Sequence, residues 1–178
     1  MEQISIPNWL RSVDILVGGL SIALCGLVII GIVPSSYAIV IMLTVAILMV
    51  ALARFARAAA VKAKGTPRRA INLIAGIIGV VASFLIFLNL GHTETELLII
   101  LAFAWMVMGL ARIIIGGLDR DVAIWARVLQ VVVGLATIAL TALILLFPTA
   151  EFSAILTLLL IAVMANGFAR VGRGYVGV

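Results

Sequence analysis

The chain has 178 residues, of which 66% are apolar and 11% are charged, with a net charge of +5 and a single cysteine. A soluble domain carries about 25% charged residues, so this composition excludes an ordinary soluble domain and indicates a surface that lies mostly in lipid. One cysteine excludes an intrachain disulfide. The basic balance requires no nucleic-acid partner, because membrane topology accounts for it.

Long uncharged runs follow one another along the chain and predict membrane-spanning helices. A bilayer core of about 30 Å needs roughly 20 helical residues. The predicted spans are residues 12–33, 37–58, 70–90, 96–118, 124–147 and 151–172. Helices are preferred to a membrane barrel because the apolar runs are continuous and do not alternate with polar residues. The predicted fold class is therefore an all-α integral membrane protein with six transmembrane helices in one domain.

The segment from Arg11 to Gly18 recurs at residues 69–76 and again at 127–134, with the same step along the chain each time. Each copy predicts a helical hairpin, and hairpins that bury little surface alone must pack on one another. The three predicted repeats are residues 9–66, 67–124 and 125–178. Because each has two spans, all three have the same orientation, which predicts a pseudo-threefold axis along the membrane normal.

The hairpin turns are predicted at residues 34–36, 89–94 and 148–149, and the charges fix the orientation. All twelve Lys and Arg residues fall on the side that carries both termini, whereas the opposite turns carry His92, Glu94, Glu96 and Glu151. The positive-inside rule then predicts that both termini are cytoplasmic in a cytoplasmic-membrane protein. We expect the acidic turns to be solvated; acid sensing by His92 is the alternative.

Small residues recur at matched positions of the repeats. In lipid, helices are held together by close backbone approach and hydrogen bonds rather than by the hydrophobic effect. We therefore predict that a set of small residues on the odd-numbered and even-numbered helices packs against other helices. We call it the small-residue set. This set is Gly18, Gly76 and Gly134 on the odd-numbered helices and Ala53, Ala111 and Ala169 on the even-numbered helices.

Polar residues at matched positions predict a buried polar layer near the cytoplasmic end. We call this set the polar layer: Asp14, Asn72, Gln130, Arg54, Arg112 and Arg170. Asp14 and Arg54 lie at equal distances along the chain before and after Pro34. Equal rise per residue places the two at similar depth. This predicts that Asp14 bonds Arg54, either within its own hairpin or across to a neighbouring one, with Asn72–Arg112 and Gln130–Arg170 as equivalents.

Two interpretations of the polar layer stay open at the level of sequence. Asp14 is either part of a structural hydrogen-bonding layer or an ion or proton site, because ionisable groups within a membrane are often functional. The three arginines either reach the headgroups and complement helix C-termini or form an anion or lipid-headgroup site. Further headgroup contacts are predicted for Arg11, Arg69 and Arg127.

The arrangement resembles the HdeD-like family of short-repeat membrane proteins of prokaryotes. The resemblance rests on six spans, hairpin repeats, a glycine in the first helix of each repeat and helix endings such as Gly109-Leu-Ala-Arg112. It implies an inner-membrane protein linked to acid resistance, and it supplies no catalytic residues.

The leading functional prediction is a non-enzymatic, stress-related or accessory component of the membrane. Membrane lipids are its predicted partners, and assembly into a homo-oligomer or a larger membrane complex is a further possibility. No catalytic, metal or cofactor residues are predicted. The alternative is a small gated channel or transporter along the pseudo-threefold axis. A membrane enzyme is the third interpretation, and it lacks a catalytic constellation in the sequence.

Overall fold

The computed structural model describes residues 7–33, 35–60, 66–118 and 123–176, and these residues form an all-helical fold without strands. Its helices are α1 (Asn8–Ile29), α2 (Ser36–Ala60), α3 (Thr66–Leu88), α4 (Glu94–Leu118), α5 (Ile124–Leu146) and α6 (Phe152–Val176). All six are long and apolar enough to cross a membrane. The predicted fold class is confirmed to this extent: the chain is all-α and has the architecture of a multi-pass membrane protein.

The first helix ends at Ile29, before the predicted limit of its span, and the reason is a glycine. Gly31 has a φ of 75°, a left-handed conformation that glycine adopts without steric strain. Its N–H donates to the carbonyl oxygen of Val28 at 3.1 Å, and the N–H of Ile32 donates to that of Leu27 at 3.2 Å. This is the Schellman arrangement, which satisfies the last carbonyl groups of a helix.

The turns at the far end of the bundle, opposite the chain termini, follow two of the predicted positions. Pro148 and Thr149 form the turn between α5 and α6, and residues 89–93 connect α3 to α4. Pro34, in the first predicted turn, lies outside the described residues. At the start of α4, Thr93 and Glu96 bond each other's backbone N–H groups at 3.4 and 3.3 Å, which is the capping box expected of a Thr-x-x-Glu sequence.

The even-numbered helices lie inside the bundle and the odd-numbered helices lie outside. The apolar stretches of α2 and α4 are each 56% buried, against 33% in α1 and α5. Helix α4 contacts both α2 and α6, whereas each odd-numbered helix packs on even-numbered ones. The core is therefore built around α2, α4 and α6.

Each odd-numbered helix packs more extensively on a helix of another hairpin than on its own hairpin partner. The largest contacts are α2 with α3, α4 with α5, and α6 with α1. The last of these joins the two ends of the chain and closes the set of helices into a ring. The predicted pseudo-threefold symmetry stays a prediction, although these three contacts follow the order that it requires.

Glycine permits these close contacts between helices. A Cβ placed on Gly18 would lie 2.7 Å from the carbonyl oxygen of Gly167, and one on Gly134 would lie 2.8 Å from that of Gly109. Real Cβ atoms do not approach this closely, so a larger residue would separate the helices. All six members of the small-residue set are buried. The nearest backbone carbonyl groups to the three glycines are those of Ala51, Gly109 and Gly167, which were not predicted as contacts.

We expect Gly18→Ala to destabilise the protein by about 1–3 kcal/mol, because the added methyl group meets the backbone of α6. Gly19 is the matched control, since it lies on the same helix and a Cβ there has nothing within 4 Å. Gly19→Ala should leave stability unchanged or raise it by up to about 1 kcal/mol, as alanine favours helix over glycine. Equilibrium unfolding in detergent micelles measures both. Equal effects of the two substitutions would contradict close α1–α6 packing.

Candidate functional site: a buried polar layer

All six residues of the polar layer are buried, with exposed fractions between 1% for Asp14 and 8% for Asn72. The acidic and amide members lie in the first two turns of α1, α3 and α5, and the arginines lie near the ends of α2, α4 and α6. These helix termini meet at one end of the bundle, which we call the arginine end. The alanine before each arginine is also buried, so both residues of the Ala-Arg pair contact the interior.

The three arginines connect the inner helices in a cyclic order. The Nη2 group of Arg54 donates to the carbonyl oxygen of Met108 on α4 at 3.0 Å. That of Arg112 donates to Asn166 on α6 at 3.5 Å, and that of Arg170 donates to Val50 on α2 at 3.4 Å. The three acceptor positions are themselves separated by the step of the sequence repeat. Each arginine therefore bonds a backbone carbonyl group of the next inner helix, and that carbonyl group lies one turn before the arginine of the same helix.

Two of the three Nη1 groups bond an odd-numbered helix, and in both cases that helix belongs to a neighbouring hairpin. Arg170 Nη1 donates to Asp14 Oδ1 at 3.0 Å, and Arg54 Nη1 donates to Asn72 Oδ1 at 3.3 Å. The pairs predicted within a hairpin, Asp14 with Arg54 and Asn72 with Arg112, are therefore wrong, whereas Asp14 does bond across to a neighbouring hairpin, which was the predicted alternative.

The third predicted pair, Gln130 with Arg170, is also absent from the described contacts, since Arg170 donates to Asp14 and Val50. The bonded residues do lie at one level, as equal rise per residue predicts. Equal depth could not decide which hairpin supplies the partner. Each odd-numbered helix packs mainly on the even-numbered helix of another hairpin, so the polar contacts form there.

Asp14 has a second partner, Arg57, which entered the prediction only as one of the twelve basic residues that mark the cytoplasmic side. The Nη2 group of Arg57 bonds Asp14 Oδ2, so one carboxylate joins α1 to both α2 and α6. Arg57 lies three residues after Arg54, and residues three apart share a helix face. That spacing was the available signal, and the same spacing places Arg173 after Arg170.

Asn166 is the other functional side chain that the sequence analysis missed. It is 2% exposed, and its amide nitrogen donates to Thr137 Oγ1 at 2.8 Å and to the Ala162 carbonyl oxygen at 2.9 Å. Its side chain thus bonds α6 to α5 while its backbone carbonyl accepts from Arg112. A lone amide within the apolar run of α6 was the signal that could have identified it.

Two of the three arginines predicted to contact lipid headgroups contact backbone carbonyl groups of a neighbouring helix. Arg11 Nε donates to Gly174 and Arg127 Nε donates to Gly116, each at 3.2 Å. Each arginine also lines a shallow groove, of about 330 Å³ at Arg11 and about 340 Å³ at Arg127. Arg69 is exposed. The headgroup role of these three residues stays a prediction.

The opposite end of the bundle carries a small exposed polar group. His92 Nδ1 lies 3.1 Å from Glu96 Oε2, and the Tyr37 hydroxyl donates to the His92 carbonyl oxygen at 3.0 Å. These contacts connect the start of α2 to the turn before α4. Within residues 7–33, 35–60, 66–118 and 123–176, His, Cys, Asp and Glu form no group of three or more that could hold a metal ion.

Comparisons with protein-family models, curated proteins and solved structures gave no match to this chain. The resemblance to the HdeD-like family therefore stays a prediction.

Replacing Asp14 should destabilise the protein because two buried arginines share its carboxylate. We expect Asp14→Ala to lower the free energy of unfolding by about 3 kcal/mol, as removing one partner of a buried ion pair leaves an unpaired charge. Asp14→Asn retains an acceptor but no charge and should lower it by about 1 kcal/mol. Equilibrium unfolding in detergent measures both changes.

The control is Ser12→Ala, since Ser12 is exposed on the same helix and bonds only the Asn8 carbonyl oxygen within its own turn. A loss for Asp14→Ala no larger than that of Ser12→Ala would show that Arg57 and Arg170 do not depend on the carboxylate.

Proposed function

We propose that the protein is a non-enzymatic component of the cytoplasmic membrane that acts in the response to acid stress through its assembly in the bilayer. The observation that supports this most directly is the filled interior. Leu43, Ile47, Leu101, Trp105 and Leu159 on the inner helices are each 0% exposed. Side chains of this size pack the space between α2, α4 and α6, where a substrate site or an open path would have to lie.

The proposed orientation places the arginine end in the cytoplasm. Arg11 on α1 bonds the carbonyl oxygens of Gly174 and Tyr175 on α6, so the two described ends of the chain lie together at that end. Glu94, Glu96 and Glu151 lie at the far end. An excess of Lys and Arg on one side is typical of the cytoplasmic side.

The proposed assembly is three hairpins around a pseudo-threefold axis. It is supported by the carbonyl groups of Val50, Met108 and Asn166, which accept from the three arginines in cyclic order and are separated by the step of the sequence repeat. The glycine contacts repeat at the same spacing, since Gly76, Gly134 and Gly18 approach residues 51, 109 and 167.

The acid-stress role has two supports of different kinds. The first is the resemblance to the HdeD-like family. The second is the polar group at the proposed outer end, where His92 pairs with Glu96 in an exposed position. Histidine and carboxylate groups gain protons as the medium acidifies, so this turn would meet an acid challenge directly.

A gated channel or transporter along the proposed axis is the second candidate function. It is favoured by the three arginines that lie on the inner helices near one end of the bundle, because such groups attract anions. The large apolar side chains beyond them oppose it, since Leu101 and Trp105 close the interior nearer the middle of α4. A path would require these side chains to move.

Deleting the gene from its native host should lower survival after an acid challenge, and the wild-type gene should restore it. Survival counts before and after the challenge measure the effect. Unchanged survival of the deletion strain would contradict the acid-stress role.

Purified protein in liposomes separates this role from the channel alternative. With an acidic medium outside and a pH-sensitive dye inside, the proposed role predicts the same rate of acidification as in protein-free liposomes. A faster rate, or an anion flux that the protein accelerates, would favour the channel.

A further inference from the structure

The three arginines of the polar layer occupy matched positions but have unequal partners. Arg170 Nη1 bonds the carboxylate of Asp14, and Arg54 Nη1 bonds the amide of Asn72. The corresponding pair is Arg112 with Gln130. There, Arg112 Nη1 and Gln130 Oε1 are both buried and both lack a hydrogen-bond partner among the described residues. The third position of the layer is thus the one that is left incomplete.

Arg112 is the least compensated of these arginines. It is 3% exposed, and its Nε and Nη1 groups have no acceptor in the described part of the chain. Its one described bond is the 3.5 Å contact from Nη2 to the Asn166 carbonyl oxygen, which is long for a hydrogen bond. Four neighbouring arginines repel it, most strongly Arg170.

A buried guanidinium without a counter-charge is unfavourable, because burial removes the water that would otherwise solvate it. Asp14 is the only acidic residue of the described chain within the polar layer, and its two oxygens are bonded to Arg57 and Arg170. No carboxylate of the polar layer is thus left to stabilise Arg112 among the described residues.

We propose that Arg112 and Gln130 bind an oxyanion of the phosphate class, which supplies at this position the negative charge that Asp14 supplies at Arg170. The planar guanidinium matches the geometry of phosphate oxygens. The unpartnered atom of Gln130 is the acceptor Oε1, so its amide group has to rotate by half a turn to present its two N–H donors to an anion. Both residues lie in the last two turns of α4 and the first two of α5, at the end of the bundle where headgroups or the aqueous phase begin.

A surface groove at the same helix ends is open both to a lipid and to a free ion. This groove of about 340 Å³ lies between the end of α4 and the start of α5, and it is lined by Gly116, Arg127 and apolar side chains. Gly116, which lines the groove, also lies beside Gln130, since a Cβ on Gly116 would be 3.2 Å from Gln130 Cβ. The phosphate group is therefore either that of a phospholipid or free phosphate, and the two sources can be distinguished.

The test is the thermal unfolding of delipidated protein in a neutral detergent. Sodium phosphate is compared with sodium chloride at equal ionic strength, and phosphatidylglycerol is compared with diacylglycerol, which lacks phosphate. A saturable rise in Tm with free phosphate assigns a soluble ligand. A rise with phosphatidylglycerol, without one from free phosphate or diacylglycerol, assigns a lipid headgroup.

Two substitutions examine the site, and one serves as a control. Arg112→Gln should abolish the rise in Tm. Gln130→Glu supplies the missing carboxylate, so it should raise Tm without added anion and weaken the apparent affinity for the active ligand at least about tenfold, as like charges repel at short range. Glu151→Gln also removes one charge, at an exposed residue of the opposite end of the bundle, and should respond as the wild type does.

The proposal is overturned if neither phosphate nor phosphatidylglycerol raises Tm in the wild type, or if Gln130→Glu binds as tightly as the wild type. It is also overturned if Arg112→Gln folds and keeps the full response. In these cases Arg112 and Gln130 would complete the layer by bonding each other directly.

Discussion

The structure depends on how buried positive charge is neutralised at one end of an apolar helix bundle. The arginines concerned lie near the ends of α2, α4 and α6 and are partly or fully buried. They are Arg54, Arg57, Arg112, Arg170 and Arg173. Removing such charges from water is costly unless they are paired and hydrogen-bonded. In the described chain one carboxylate, Asp14, serves two of them directly, and backbone carbonyl groups and one amide serve others.

Close helix packing makes this solution possible, because the arginines can reach neighbouring backbones only if the helices lie near one another. Glycine and alanine at the α1–α6, α2–α3 and α4–α5 contacts bring those helices together. The outer helices then deliver Asp14 and Asn72 to arginines of the inner helices. Packing and electrostatics thus support each other: a larger residue at Gly18 would push α1, and with it Asp14, away from Arg170.

The sequence was sufficient to predict the spans and the composition of the polar layer, since both follow from the length of apolar runs and from the polar residues within them. It also predicted that Gly18 and its equivalents are buried. It could not predict the pairing, because equal depth in a hairpin leaves two neighbouring hairpins as possible partners for Asp14. The early end of α1 at Ile29 can be predicted from Gly31. Local patterns also identify Arg57 and Asn166 as candidates, but their partners depend on distances between helices that no local pattern contains.

The central claim is that matched positions of the outer helices are interchangeable sources of charge for the arginines, and relocating the carboxylate tests it most directly. The double variant Asp14→Asn with Asn72→Asp moves the carboxylate from the partner of Arg170 to the partner of Arg54. Its free energy of unfolding in detergent should lie above that of Asp14→Asn alone, because the layer regains its negative charge at an equivalent place. A double variant no more stable than Asp14→Asn would contradict the claim and would mean that Asp14 acts only through its particular contacts with Arg57 and Arg170.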